Sequence, residues 1–125
     1  MNGNNSFLID TNVIIYSTQG VLDLDDFVKN EDDLYISSIT YMEALGFPFQ
    51  DKNEEKKVTK LCETFERIFL TKEIEKQTIL IRKSNKIKLP DAIIAATAMV
   101  LNLTLVTYNI DDFKNIQGLK ILNPY

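Results

Sequence analysis

The chain has 125 residues, enough for one domain, and its 45% of apolar residues exclude a disordered protein. It has no histidine and one cysteine, Cys62, which excludes Ser-His-Asp triads, His/Cys zinc sites and an internal disulfide framework. The net charge of −4 is unevenly distributed, since residues 1–50 carry a net −7 and residues 51–125 a net +3.

Residues 1–50 are predicted to form two strands and three helices. In chain order these are a strand at 7–9, helices at 13–18 and 21–29, a strand at 34–37 and a helix at 38–44. Thr11 or Asn12 can cap the first helix, and Ser37 or Ser38 can cap the third, because these side chains accept hydrogen bonds from unpaired backbone amides. Gly46 is predicted to end the third helix.

Residues 51–125 are predicted to form further helices and two more strands. In chain order these are helices at 55–70, 72–84 and 90–102, a strand at 103–107, a loop or short helix around 111–112 and a strand at 119–122. The helix at 55–70 is predicted from apolar residues that recur at helical spacing from Val58 to Phe69. The helix at 90–102 begins at Pro90 and is apolar nearly all round, so we expect it to be buried.

Strands separated by helices predict an α/β fold, in which helices cover both faces of a small parallel sheet in three layers. We expect one domain over residues 1–125. Ligands bind such sheets beyond the carboxyl ends of the strands. Asp10 follows the first strand and residues 107–112 follow the third, so these positions are the first candidates for a site.

Four carboxylates, Asp10, Glu43, Asp91 and Asp112, are candidates for one acidic site. Each also has a structural interpretation: Asp10 as a helix cap, Glu43 as an exposed helix residue, Asp91 as a partner of the helix dipole, and Asp112 as a solvated loop residue. A carboxylate on the apolar helix is costly unless it is paired or binds a cation. A hard cation such as Mg²⁺ or Mn²⁺ would neutralise the cluster, activate water and stabilise charge on a phosphoryl oxygen.

The densest basic cluster consists of Arg82, Lys83, Lys86 and Lys88, immediately before Asp91. Two interpretations remain open for it. The cluster is either a solvated helix end and loop, or a patch that contacts the phosphates of a nucleic acid.

Four segments carry a resemblance to a known family. In chain order they are IDTN at 9–12, ISSITYME at 36–43, LPDAIIAATA at 89–98 and LVTYNIDDF at 105–113. Together they resemble a PIN domain, of the kind found in the small VapC-type toxins of bacterial type II toxin–antitoxin systems. The resemblance covers nearly the whole chain and implies a PIN-like three-layer α/β/α fold.

The resemblance implies an endoribonuclease that uses Mg²⁺ or Mn²⁺. Asp10 and Asp91 match the principal metal-ligand aspartates, Glu43 matches the acid of the second motif, and Asp112 matches the acid before Phe113. Polar positions near the site are matched by Thr11, Asn12, Thr107 and Asn109. Tyr108 departs from the pattern, since many VapC-like sequences carry Arg there, and the cluster at 82–88 is the alternative source of phosphate contacts.

The same resemblance implies three kinds of partner: an RNA substrate, a cognate antitoxin protein and a second copy of the chain in a homodimer. No signal peptide is predicted, and the longest apolar run near the C-terminal third, at 92–101 and interrupted only by Thr97, is too short to span a bilayer. We therefore expect a cytoplasmic protein that does not enter a membrane.

Three other interpretations remain open. The first is a phosphotransfer domain on a doubly wound sheet, but Asn12 occupies the place where a haloacid-type phosphatase carries a second aspartate. The second is a PIN fold that binds without catalysis, which the presence of all four acids disfavours. The third is a PIN-type protein that processes nucleic acids without an antitoxin.

Overall fold

The computed structural model describes residues 5–20, 23 and 32–124. Within them, eleven elements follow one another along the chain. They are β1 (Ser6–Ile9), α1 (Thr11–Thr18), β2 (Asp33–Ser37), α2 (Ser38–Leu45), α3 (Lys52–Thr64), β3 (Glu66–Ile68), α4 (Lys72–Ser84), α5 (Leu89–Val100), β4 (Thr104–Val106), α6 (Ile110–Phe113) and β5 (Ile121–Leu122).

All described strands pair in parallel, in the order β3-β2-β1-β4-β5. From the central β1 the chain first builds the sheet outward through β2 and β3, and later returns to the other side of β1 with β4 and β5. The direction of construction therefore reverses between β1 and β4. In parallel α/β sheets a crevice forms at this reversal, beyond the carboxyl ends of the two strands, and ligands bind there.

Helices cover both faces of the sheet, because successive side chains of a strand point to opposite faces. Leu8 belongs to the core under α4 and α5, together with Ile74 and Ala95. Phe7 and Ile9 belong to a second core under α1, α2 and α3. Five consecutive side chains of α5, residues 94–98, are buried. The predicted three-layer α/β/α fold and the buried helix are thus confirmed.

The predicted helix at 55–70 is wrong in its last third. The helix ends at Thr64, Phe65 is extended, and Glu66–Ile68 pairs with β2 as an edge strand. Phe65 is only 7% exposed, so its side chain is buried even though its backbone is no longer helical. The apolar spacing that suggests a longer helix is therefore also compatible with a helix that ends at Thr64. Backbone pairing with β2 satisfies the amides and carbonyls that face β2, in place of helical hydrogen bonds.

Most other boundaries agree to within a few residues, but the first helix cap does not. The helix begins at Thr11, and Asp10 caps it through a hydrogen bond from the Thr11 amide. Ser37 caps α2 by accepting from the Ile39 amide at 3.1 Å. Gly46 ends α2 as expected, and a Cβ at this position would lie 2.6 Å from the carbonyl oxygen of Met42.

The predicted helix at 21–29 lies outside the described residues except at residue 23. In the part of the chain that the structure describes, no helix combines the length and apolar character needed to cross a membrane.

Candidate active site

Asp10 lies at the carboxyl end of β1, at the reversal point of the sheet, and is only 4% exposed. Its backbone amide donates to the carbonyl of Val106 at 3.0 Å, which continues the β1–β4 pairing by one residue. Its Oδ1 accepts from the Thr11 amide at 2.8 Å, and its Oδ2 accepts from the Thr107 hydroxyl at 2.8 Å and from Asn12 Nδ2 at 3.3 Å. The carboxylate is therefore held in one orientation by both neighbouring strand ends.

Thr107 and Asn12 connect the two strand ends further. The fully buried Thr107 hydroxyl donates to Asp10 and accepts from the Asn109 amide at 3.0 Å. Asn12 Oδ1 accepts from the Tyr108 amide at 3.3 Å, so α1 is tied to the segment that follows β4. These polar residues thus position Asp10 and the turn beside it.

Glu43 comes from α2 and is fixed by α1. The Thr11 hydroxyl donates to Glu43 Oε1 at 2.7 Å and lies 3.3 Å from the hydroxyl of Thr40. Thr40 is completely buried, one helical turn before Glu43 on the same face of α2. Thr40 is a supporting residue that the sequence analysis missed, and its only signal was this spacing of three from an acid.

Asp91 lies in the first turn of α5 and is partly exposed. Together with Asp10, Glu43 and three polar residues it lines a pocket at the crevice; the polar residues are Thr11, Asn12 and Asn109. The described lining thus contains three carboxylates and no cation. The structure brings together three of the four predicted acids.

Asp112, the fourth acid, lies in α6 and lines a neighbouring cleft that shares Asp91 with the pocket. Asp111 also lines this cleft, and its carboxylate pairs with Lys114 at 3.1 Å. Asp112 affects the pKa of Asp91, whereas no such influence of Asp111 is resolved. This difference favours Asp112 over Asp111 as the member of the site.

The pKa values show that the carboxylates lie within one another's electric field. The pKa of Asp10 is raised from 3.8 to about 6, mainly by burial and to a smaller extent by the charges of Asp91 and Glu43, while the hydrogen bonds from Thr107 and Thr11 oppose the shift. Burial also raises the pKa of Asp91, with smaller contributions from Asp112 and Glu43, while Lys88 lowers it. A bound cation would stabilise the ionised forms of both groups.

The donor chemistry fits a hard divalent cation, since carboxylate and amide oxygens line the pocket. In residues 5–20, 23 and 32–124, no three acidic or sulfur side chains are already grouped closely enough to hold a metal ion. Mg²⁺ keeps several of its waters and usually takes one or two protein carboxylates directly. Carboxylates spaced more widely than a closed cage are compatible with such an ion.

The predicted basic cluster divides in two. Arg82, Lys86 and Lys88 line the cleft that contains Asp91 and Asp112, but Lys83 is not among the residues that line it. Lys83 follows Arg82 by one residue within α4, a step of about 100° around the helix axis, whereas Lys86 and Lys88 lie in the connection between α4 and α5. Only three of the four bases therefore face the acidic site.

A comparison with known families identifies the family of this chain. The model of the PIN domain family matches residues 7–119, and the chain belongs to this family. Curated proteins gave no match.

Among solved structures, the chain is similar to one from the VapBC2 complex of Rickettsia felis bound to a promoter DNA fragment. The identity is 25% and the TM-score 0.82, over 94% of this chain and 98% of the other. A toxin–antitoxin complex from Klebsiella pneumoniae contains a chain 32% identical, with a TM-score of 0.74 over 94% and 97%. DNA-bound VapBC from Salmonella typhimurium contains a chain 26% identical, with a TM-score of 0.79, over 94% of this chain and 97% of the other. The resemblance to VapC-type PIN domains is thus confirmed.

Proposed function

We propose that this chain is a metal-dependent endoribonuclease and the toxin of a toxin–antitoxin pair. The observation that carries the proposal is the convergence of Asp10, Glu43 and Asp91 in one pocket at the reversal point of the sheet. These acids come from three separate parts of the chain, and the described residues around them provide no positive charge in the pocket. Membership of the PIN domain family supports a nuclease activity.

In this proposal Asp10 and Asp91 hold Mg²⁺ or Mn²⁺, with Glu43 and Asp112 nearby or acting through water. The bound ion would activate water and stabilise the charge that develops on a phosphoryl oxygen. Thr107 fixes Asp10 and Thr11 fixes Glu43, so both carboxylates are oriented before a substrate arrives. Because the chain contains no histidine, proton transfer falls to carboxylates, and the exposed Glu43 is the best placed to accept a proton from water.

The direct test is cleavage of single-stranded RNA by the purified protein with Mg²⁺ or Mn²⁺, compared with EDTA. Cleavage that requires the metal, and that disappears when Asp10 is replaced by Asn, supports the proposal. Isothermal titration with Mn²⁺ provides a second readout that does not depend on the choice of RNA. Binding that persists unchanged in Asp10→Asn combined with Asp91→Asn would contradict the assigned ligands.

Thr107→Val is expected to weaken Mn²⁺ binding by about 10- to 100-fold, the usual effect of removing a residue that orients a metal ligand. The variant keeps the shape of the buried side chain but removes the hydroxyl that donates to Asp10 Oδ2. Thr107→Ser restores the hydroxyl and should restore most of the affinity. Equal affinity in the Val and Ser variants would show that Thr107 does not position Asp10.

The partners follow from the relatives and from charge. Structures similar to this chain include toxin–antitoxin complexes, and we propose a cognate antitoxin and a homodimer here as well. The net charge of −7 over residues 1–50 would suit a basic antitoxin segment. Large apolar side chains are also exposed at Met42, Phe47 and Phe69, and such exposed apolar surface is available for a protein partner. We also propose that residues 1–125 form a single PIN domain that works in the cytoplasm.

A further inference from the structure

We propose that one strand of RNA runs through the cleft beside the acidic pocket, with its phosphates on Arg82, Lys86 and Lys88. This inference rests on the proposed ribonuclease function and names the path by which the substrate reaches the site. The cleft has a volume of about 680 Å³ and lies between the α4–α5 connection and the α6 region. It is larger than the acidic pocket, whose volume is about 290 Å³.

The cleft and the acidic pocket are continuous through one residue. Asp91 lines both of them. Lys88 lies three residues before Asp91 and is close enough to lower its pKa. An RNA backbone bound by Lys88 and its neighbours therefore lies next to the candidate metal ligands, so that binding along the cleft places a phosphodiester bond at the site.

The three basic side chains are available to a ligand. All three side chains are exposed, and among the described residues the one ion pair joins Lys114 to Asp111, so none of the three is neutralised by an acid at contact distance. Arg82 Nε donates to the carbonyl of Ile87 at 3.3 Å, which anchors the guanidinium on the connection that carries the two lysines. The three charges are thus presented from one wall of the cleft, as a phosphate backbone requires.

The opposite wall indicates that only one strand enters. It carries Asp111, Asp112 and Asn115. A duplex would bring a second backbone, with the same negative charge, toward these acids. A single strand can instead place its phosphates on the basic wall and turn its bases to the other, where carboxylate and amide oxygens accept hydrogen bonds from exocyclic amino groups.

The test measures binding of a short fluorescent single-stranded RNA across a salt series, in EDTA so that no metal-dependent cleavage occurs. The test variant combines Arg82→Ala, Lys86→Ala and Lys88→Ala. A single-stranded phosphate contact contributes about 0.7 to the slope of log affinity against log salt, so the variant should lower the slope by about 2. At the lowest salt concentration its affinity should fall by roughly tenfold or more.

A matched control combines Lys72→Ala, Lys76→Ala and Lys83→Ala. It removes the same charge from exposed lysines of α4 that do not line the cleft, and it should bind with nearly the wild-type slope. Equal losses in both triple variants would show a diffuse effect of net charge and overturn the assignment. Wild-type binding by the test variant would overturn it as well, and equal binding of a duplex of the same sequence would overturn the single-strand path.

A cleavage assay separates this inference from the function on which it rests. If RNA binding depends on the three basic residues but the protein cleaves no RNA with Mg²⁺ or Mn²⁺, the RNA path through the cleft stands and the proposed nuclease activity is rejected. Metal-dependent cleavage at the wild-type rate and KM by the test variant would keep the nuclease and reject the cleft.

Discussion

Asp91→Asn is expected to reduce metal-dependent RNA cleavage by about 10²- to 10⁴-fold, because a catalytic metal ion contributes several kcal/mol to transition-state stabilisation. Asp91 is the acid shared by the pocket and the cleft, and it stands in the first turn of an otherwise apolar helix. The Asn side chain is nearly the same size, so the loss would reflect the charge rather than packing. Initial rates at saturating Mg²⁺ or Mn²⁺ provide the measurement.

Glu63→Gln is the matched control for this variant. It also removes one negative charge, but from an exposed residue near the C-terminal end of α3 that lies outside the pocket and the cleft. Its cleavage rate should stay within about twofold of wild type, as is usual for surface substitutions away from a site. The nuclease proposal fails if Asp91→Asn cleaves as fast as this control, and equal thermal stability of the two proteins excludes unfolding as the reason for a loss.

The strand ends could be predicted from the sequence because their signals are local. A short apolar run followed by Asp10, and another followed by Thr107, indicate two buried strands whose polar residues begin at the same edge. Their direct hydrogen bond in the structure is the consequence of that placement. Asp91 can also be predicted as a site residue, because a carboxylate on an apolar helix is costly unless it is paired or binds a cation.

Other features depend on contacts between distant parts of the chain. β3 has only three residues, and it is a strand because β2 offers it an open edge, which no local pattern encodes. In the sequence Glu43 resembles any exposed helix glutamate, and only the family resemblance indicates a role in the site. Its contact with Thr11 joins residues that are 32 positions apart in the chain. Arg82 and Lys83 both lie in α4, about 100° apart around its axis, and which of them lines the cleft depends on how α4 packs in the fold, which no local pattern encodes.

In the metal-free protein, the contribution of Asp10 to the free energy of unfolding is expected to increase as the pH falls from about 7.5 to about 5. The folded-state pKa of Asp10 is about 6 and its ordinary value is 3.8, so the folded state binds the proton more tightly than the unfolded state. The resulting stabilisation is fully present below about pH 4 and is lost as the pH rises through about 6. The whole difference corresponds to about 3 kcal/mol, of which about 1.4 kcal/mol is gained by pH 5.

Asp10→Asn isolates this contribution, because the variant cannot ionise at residue 10 while every other titrating group is retained. Chemical unfolding in EDTA at the two pH values should show that wild type gains about 1.4 kcal/mol more than Asp10→Asn on acidification. Mg²⁺ should stabilise wild type at neutral pH and have little effect on the variant, since a ligand stabilises only the state that binds it. An identical pH response in the two proteins would mean that Asp10 does not carry a raised pKa in the metal-free protein.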